Sequence, residues 1–338
     1  MGLTIDLQAI VANWQALAAR APAARAGAVV KADAYGLGAA KVAPALYAAG
    51  ARDFYVALAS EGRVLRPLLG GDARIFVFGG HMPGDDLTGL IPLLNSPEQF
   101  FRDRTLRRGE PFGIQLDSGM NRLGMEAAEW GAIRAEALAA EPSLIMSHLA
   151  CADEPDHPAN AAQLAAFRAM TDGTGVPRGL SATGGILLGP DYHFETVRPG
   201  VGLYGGLPFA EARPVVTLSL PVIQIRDVAA GEFVGYGATW TTDRPRRIAT
   251  VNAGYADGLH RALTGSGACL WSDGHPAPIV GRVSMDLITA DVTDLPRPPD
   301  VLEALNAQQT VDDLADRAGT IGYEILTSLG ARYPRRYV

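Results

Sequence analysis

Eight short apolar strand signals between Val29 and Arg198, alternating with helical or short linking segments, predict an α/β chain that opens as a (β/α)8 barrel of the TIM type. A change to β-rich texture beyond Pro208 to Pro214 predicts a second, mostly-β domain behind it. The expected division is 1–213 for the barrel and 214–338 for the β domain. Eight repeats in roughly 190 residues are compact for a barrel that usually takes about 250, and a doubly wound open sheet is the competing topology.

Thr4-Ile5-Asp6 reads as a brief strand, and Leu7, Ile10, Val11, Trp14 and Leu17 then recur at helical spacing. Val29-Val30 is a buried strand that runs into Lys31 and breaks at once into small residues and glycines. Helices follow over 38–49 and 60–69, with the strand Phe54-Tyr55-Val56 between them and Ile75 to Phe78 after them. Leu90 to Leu94 is a weaker strand containing Pro92. Ser96-Pro97-Glu98-Gln99 is a capping box with proline at the first helical position, which starts a helix expected to reach about 108. Strands over 112–116 and 144–149 alternate with helices over 126–140 and 158–170, and Leu180-Ser181 and Val197-Arg198 end the series. The second domain shows strands over 215–228, 247–251, 269–271 and 279–292. Ser272-Asp273-Gly274-His275 is a hairpin turn, and Thr310 with Asp313 caps a late helix.

Composition narrows the function. The chain has 338 residues, 48% of them apolar, and a net charge of −7 with no block of like charge. Nucleic acid and acidic membrane are therefore not expected as partners. Cys151 and Cys269 form no CxxC, and the six histidines show no metal-ligand spacing, so no metal is expected. The first residues carry no basic segment or apolar targeting core, and no run is long enough to span a bilayer, which favours a soluble cytoplasmic protein.

Barrels present their chemistry at the C-terminal ends of their strands. Lys31 falls at the end of the first, Asp117 of the fifth, His148 of the sixth and Arg198 of the eighth, with Arg122 in the loop after the fifth. Taken singly, each has an ordinary structural use: a solvated lysine, a turn aspartate, a core histidine, an arginine paired with a carboxylate. Their arrival at one end of one barrel gives them a joint meaning. A lysine walled by apolar neighbours loses hydration, its pKa falls, and it becomes an amine nucleophile for a carbonyl carbon. Thr183-Gly184-Gly185 and Gly200-Val201 follow the last two strands, where barrels commonly hold a phosphate. An amine plus a phosphate site suits pyridoxal 5′-phosphate. Gly200 to Gly205 matches G-x-G-x-x-G, but Leu207-Pro208-Phe209 follows where a dinucleotide site needs a helix.

At this point the residues resemble the alanine racemase family. The segments that carry the resemblance run from Val30-Lys31-Ala-Asp-Ala-Tyr35-Gly through Leu116-Asp117-Ser-Gly-Met-Asn-Arg122-Leu-Gly, Ser147-His148-Leu-Ala-Cys-Ala-Asp153 and Arg198-Pro-Gly200-Val-Gly-Leu-Tyr204-Gly. They continue through Gly254-Tyr255-Ala-Asp-Gly258 and Gly281-Arg-Val-Ser-Met285-Asp286 to Ile321-Gly-Tyr323-Glu. The resemblance implies a pyridoxal-phosphate barrel with a C-terminal β domain, racemising L- and D-alanine for peptidoglycan or for breakdown of D-alanine. It implies that Lys31 carries the cofactor as a Schiff base, with Tyr35, Thr183, Gly200, Val201 and Tyr323 on the phosphate. Arg198 would face the pyridine nitrogen with His148 beside it, and Arg122 would meet the phenolic oxygen and the substrate carboxylate. Lys31 and Tyr255 would serve opposite faces of the substrate Cα as two bases, with Tyr255 and Met285 lent by the second subunit of a homodimer. A phenol titrates near about 10, so cationic groups such as those of the His148–Arg198 network are expected to favour its anion.

Two positions depart from the family pattern. Gln115 stands where many relatives carry an often carbamylated lysine, so no modified lysine is expected and its amide oxygen is left to orient Arg122. Ala182-Thr183 stands where Asn-Ser is common, and Thr183 keeps the hydroxyl. Three rival functions share these features: a racemase of serine or another small amino acid, a pyridoxal-phosphate decarboxylase on a similar barrel, and a non-catalytic cofactor carrier. The decarboxylases are longer and carry a cysteine motif absent here, and a carrier has no use for Tyr255.

Overall fold

The computed structural model describes residues 2–338, which divide into two compact units. One holds residues 10–203 and 207–212; the other holds 2–9, 204–206 and 213–338.

In the first unit, seven parallel strands stand side by side in chain order: Ala28–Val29, Asp53–Val56, Arg74–Val77, Ile91–Leu94, Gly113–Gln115, Ile145–Met146 and Arg178–Gly179. The eighth, Thr196–Val197, pairs in parallel with Arg25–Ala26, just ahead of the first. Main-chain bonds from Gly27 N to Val197 O (2.9 Å), Val29 N to Pro199 O (3.0 Å) and Arg198 N to Ser181 O (2.8 Å) tie the eighth strand to the first and the seventh. These bonds close the barrel. The strands are short apolar runs because parallel strands are covered on both faces; Phe54, Tyr55, Val56, Ile75 and Phe76 are all buried. Tyr55 stacks on Phe76 with centroids 5.0 Å apart. The seventh strand sits two residues earlier than expected, because Gly179 pairs with Met146 while Leu180 and Ser181 already turn toward the helix Thr183–Leu188. The helix Pro97–Leu106 starts as its sequence predicts, with Gln99 N donating to Ser96 Oγ at 3.3 Å, and ends short of 108.

The second unit is an eight-stranded sheet in the order Arg246–Val251, Ile288–Asp291, His275–Val280, Cys269–Ser272, Val301–Leu305, Val216–Val228, Gly2–Ile5 and Arg335–Tyr337. The long strand Val216–Val228 also pairs with Arg246–Val251, which curls the sheet back on itself. An irregularity between Val222 and Gln224 lets its two halves serve different neighbours. Asp273 and Gly274 both have positive φ, 49° and 78°, the geometry of the anticipated two-residue hairpin. Two expectations are corrected. Gly2–Ile5 pairs with Val216–Ser219 and with Arg335–Tyr337, so residues 2–9 group with the C-terminal sheet and not with the barrel. The strand expected over 279–292 is broken by 281–287, a loop that begins at Gly281 (φ 67°), where a Cβ would stand 2.6 Å from Val234 O. Among the described residues no helix is long and apolar enough to cross a membrane.

Candidate active site

Lys31 follows the first barrel strand, after Val30 donates its N–H to Tyr55 O at 2.9 Å. The chain then does something rare. Ala32, Asp33, Ala34 and Tyr35 all take left-handed backbone angles, with φ between 52° and 56°. Such a conformation costs roughly 1–2 kcal/mol per L-residue. The compensating bonds are visible: Gly36 N to Ala32 O (2.8 Å), Gly38 N to Asp33 O (2.8 Å), Ala39 N to Asp33 Oδ1 (2.7 Å) and Ala32 N to Glu61 Oε1 (2.7 Å). The tight turn carries Lys31 at its start and Tyr35 at its end. Lys31 Nζ lies 5.8 Å from the centre of the Phe78 ring. Its pKa is lowered, first by burial and then by the charge on Arg122, with Glu61 opposing both. This is the direction the sequence predicts for an amine nucleophile.

Arg198 is buried at the end of the eighth strand. Its Nη2 donates to Ser147 O at 2.7 Å and Leu180 O at 3.2 Å, the carbonyls at the ends of the sixth and seventh strands. Its Nη1 has no partner. Burial lowers its pKa to about 10, against a raising effect from Tyr55, so it remains a cation at neutral pH. His148 behaves differently from the expectation that it helps supply positive charge. Burial, then Arg198, Arg122 and Lys31, drive its pKa to about 3, so the ring is neutral. Gln163 holds its backbone, Nε2 donating to His148 O at 2.9 Å.

Arg122 lies in the loop after the fifth strand, opened by Asp117, whose Oδ1 accepts from Gly119 N (2.7 Å) and Met120 N (2.8 Å). Gln115 does not grip Arg122 through its amide oxygen. Its Nε2 donates to Leu123 O at 3.4 Å and its Oε1 is buried without a partner, so it acts on the loop backbone.

The last two loops form the cradle expected of a phosphate site. Thr183 Oγ1 accepts from Gly200 N at 3.0 Å and Gly202 N at 3.2 Å. With its acceptor capacity used, the hydroxyl proton is left to donate. A Cβ on Gly200 would stand 2.6 Å from Tyr35 Oη, so only glycine leaves room for that phenol. Val201 begins the 3-10 turn Val201–Tyr204, and the segment after it is not helical.

Tyr255, Met285 and Tyr323 lie in the second unit, each substantially exposed. Tyr255 opens the turn Tyr255–Asp257, and its N–H donates to Ser284 O while that of Ala256 donates to Met285 O, both at 3.0 Å. A side chain at Gly254 would run into the carbonyls of Ser284 and Met285. Arg332 braces the pair: its Nε and Nη2 reach Asp257 at 2.6 and 2.8 Å, and its Nη1 reaches Asp286 at 2.7 Å. Tyr323 is the second residue of the helix Gly322–Ser328.

The structure thus brings Lys31, Arg122, His148 and Arg198 into one electrostatic group, Tyr35, Thr183 and Gly200 into another, and Tyr255 beside Met285. Glu61, Gln163 and Arg332 were missed. Each works through backbone or carboxylate contacts far away in sequence, and only the position of Glu61 in a first helical turn hinted at an acceptor role. Among the described residues no three His, Cys, Asp or Glu side chains are grouped to hold a metal ion, and both cysteines are free.

The Tyr35–Thr183–Gly200 cradle, the unpaired Nη1 of Arg198 and the depressed amine of Lys31 fit a phosphorylated pyridine aldehyde. Comparison with known proteins agrees in kind. Residues 5–208 match the model for the alanine racemase N-terminal domain and residues 215–337 that for the C-terminal domain. An alanine racemase of Cereibacter sphaeroides is 64% identical over 99% of this chain and 97% of its own length. One from Jannaschia sp. is 61% identical over 98% and 97%. The crystal structure of alanine racemase from Bartonella henselae with covalently bound pyridoxal phosphate superposes with a TM-score of 0.92 at 39% identity, covering 99% of each chain. The biosynthetic alanine racemase of Pseudomonas aeruginosa gives 0.90 at 37% identity, over 100% of this chain and 99% of that one. The chain belongs to the alanine racemase family.

Proposed function

We propose that the chain interconverts L- and D-alanine with pyridoxal 5′-phosphate, working as a homodimer in the cytoplasm. When bound, the cofactor supplies an electron sink that acidifies the Cα–H of the amino acid. Lys31 would hold the cofactor, and its amine is the group that would take or return the proton at one face of the substrate Cα. Tyr35, Thr183, Gly200 and Val201 hold the phosphate, and the family resemblance adds Tyr323. Arg198 Nη1, which has no protein partner, would face the ring nitrogen. Because that guanidinium keeps its proton, it would donate to the ring nitrogen without protonating it, and so would moderate the electron sink. Neutral His148 packs among the cations without adding charge. Arg122 orients the substrate carboxylate, and Met285 limits the space for its side chain.

The second base is Tyr255 of the partner subunit, facing Lys31 across the substrate. Removal of a proton on one face and its return on the other requires one such group on each side. The exposure of Tyr255 at 43%, Met285 at 53% and Ile321 at 61% supports a surface covered by another copy. The single observation that carries the reading is the clustering, around His148, of a desolvated Lys31 and a buried Arg198 that keeps one donor unpaired. Racemisation of L-alanine, followed by polarimetry, tests it. In Tyr255→Phe turnover should fall by at least about 100-fold, within the range for general acid–base catalysis, with the visible absorption of the lysine-bound cofactor intact. Loss of that absorption together with turnover would remove Tyr255 from proton transfer. A faster rate with serine than with alanine would move the assignment to another small amino acid. Supply of D-alanine for peptidoglycan and its breakdown use the same site.

A further inference from the structure

We propose that Glu61 is a positioning residue for Lys31, its carboxylate fixing the left-handed turn on which the lysine stands. The inference rests on Lys31 as the covalent anchor of the cofactor. Glu61 lies in the first turn of the helix Ala59–Leu65, behind the second barrel strand. Its Oε1 accepts from Ala32 N at 2.7 Å, and its Oε2 accepts from Ala57 N at 2.7 Å and Leu58 N at 3.3 Å. One carboxylate therefore staples the chain leaving the first strand to the chain leaving the second. Ala32 is the residue next to Lys31 and the first of the four left-handed residues. A charge-assisted bond at that N–H fixes where the disfavoured run begins, and with it the direction in which Lys31 leaves the barrel.

The same carboxylate is placed to act on the amine. The charged and titratable groups that act on or face Lys31 are Arg122 after the fifth strand, neutral His148 after the sixth, and Glu61. Among these Glu61 is the one anion. Asp33 is engaged elsewhere, its Oδ1 accepting from Ala39 N at 2.7 Å. Burial and Arg122 lower the pKa of Lys31, and Glu61 acts against them. Glu61 thereby opposes the loss of basicity that burial and Arg122 impose on the amine.

The test uses the full-length holoenzyme with Glu61→Gln and Glu61→Asp. The first readout is the pH midpoint of the visible absorption of the lysine-bound cofactor; the second is the α-deuterium isotope effect measured from L- and from D-alanine. Glu61→Gln should move the midpoint down by about one pH unit, the scale of a lost neighbouring opposite charge. It should raise the isotope effect only in the direction in which Lys31 removes the proton. Glu61→Asp keeps the charge but is too short to reach both Ala32 and Ala57, so the midpoint should stay near that of the wild type while kcat falls about tenfold, one catalytic contact out of place. A wild-type midpoint in Glu61→Gln, or equal isotope effects in both directions, overturns the proposal. If Glu61→Gln does not fold, Glu61→Asp decides alone, and a wild-type kcat there overturns it. A wild-type enzyme with no lysine-bound absorption overturns the reading of Lys31 instead.

Discussion

Replacing Gly200 by alanine tests the phosphate cradle at its tightest point. The added Cβ would stand 2.6 Å from Tyr35 Oη and 3.5 Å from Val29 Cβ. The second distance is an ordinary contact; the first is not. Ordinary contact begins near 3.4 Å, so the phenol oxygen must retreat by about 0.8 Å. An O–H···O bond has its optimum near 2.7–2.8 Å, and lengthening by that amount removes it. Bonds to charged groups are worth about 1.5–3 kcal/mol, which corresponds to about 10- to 150-fold weaker cofactor binding. The assay is titration of the cofactor-free enzyme with pyridoxal 5′-phosphate, with thermal melting as the check on folding. Tyr35→Phe should weaken binding by a similar factor, since it deletes the same bond. The decisive measurement is the double variant. Phenylalanine offers no Oη to displace, so Gly200→Ala should add little to Tyr35→Phe, and the two effects should be strongly non-additive. Additive losses, or unchanged binding in Gly200→Ala, would refute the claim that Gly200 is there to admit the phenol.

Two further outcomes follow from the contacts described. Arg332→Leu should release Asp257 and Asp286 and loosen the turn that carries Tyr255, lowering kcat roughly 10- to 100-fold, the scale of an ångström-size misplacement. The absorption of bound cofactor should be unchanged; a wild-type kcat would show that the bridge positions nothing. The His148 pKa of about 3 lies below the ordinary value of 6.5. Between those two values the unfolded chain binds more protons than the folded one, so this residue's contribution to stability is complete above about pH 6.5 and is lost as pH falls toward 3. The slope is at most about 1.4 kcal/mol per pH unit. Urea unfolding of wild type and His148→Gln at pH 5.0 and 6.5 should show wild type losing more stability on acidification, and equal losses would contradict the neutral-histidine assignment.

The barrel was legible in the sequence because a strand covered on both faces reads as a short apolar run, as in Phe54-Tyr55-Val56 and Ile75-Phe76-Val77. The slip at the seventh strand has the same origin. Arg178-Gly179 is not an apolar pair, so the apolar signal of Leu180 drew the assignment two residues late. The place of Gly2–Ile5 was not legible locally, since its partners stand more than 200 residues away. Arg335–Tyr337 carries two arginines and gave no strand signal at all. In the site, Lys31, Arg198, Thr183 and Gly200 could be found because each ends or follows a strand. The charge state of His148 could not, because it depends on burial together with three cations drawn from three other loops. The bridging role of Arg332 left no local pattern, and that of Glu61 only its place in a first helical turn.

The central claim is that each catalytic centre takes Lys31 from one chain and Tyr255 from another. Co-expression of Lys31→Ala with Tyr255→Phe tests it most directly, because each variant alone is expected to be inactive. In a mixed dimer with two-fold symmetry, one centre would combine the intact Lys31 of one chain with the intact Tyr255 of the other, and its companion centre would have neither. Random pairing then predicts recovery of about one quarter of wild-type activity. No recovery, with mixed dimers demonstrably formed, would contradict a shared site.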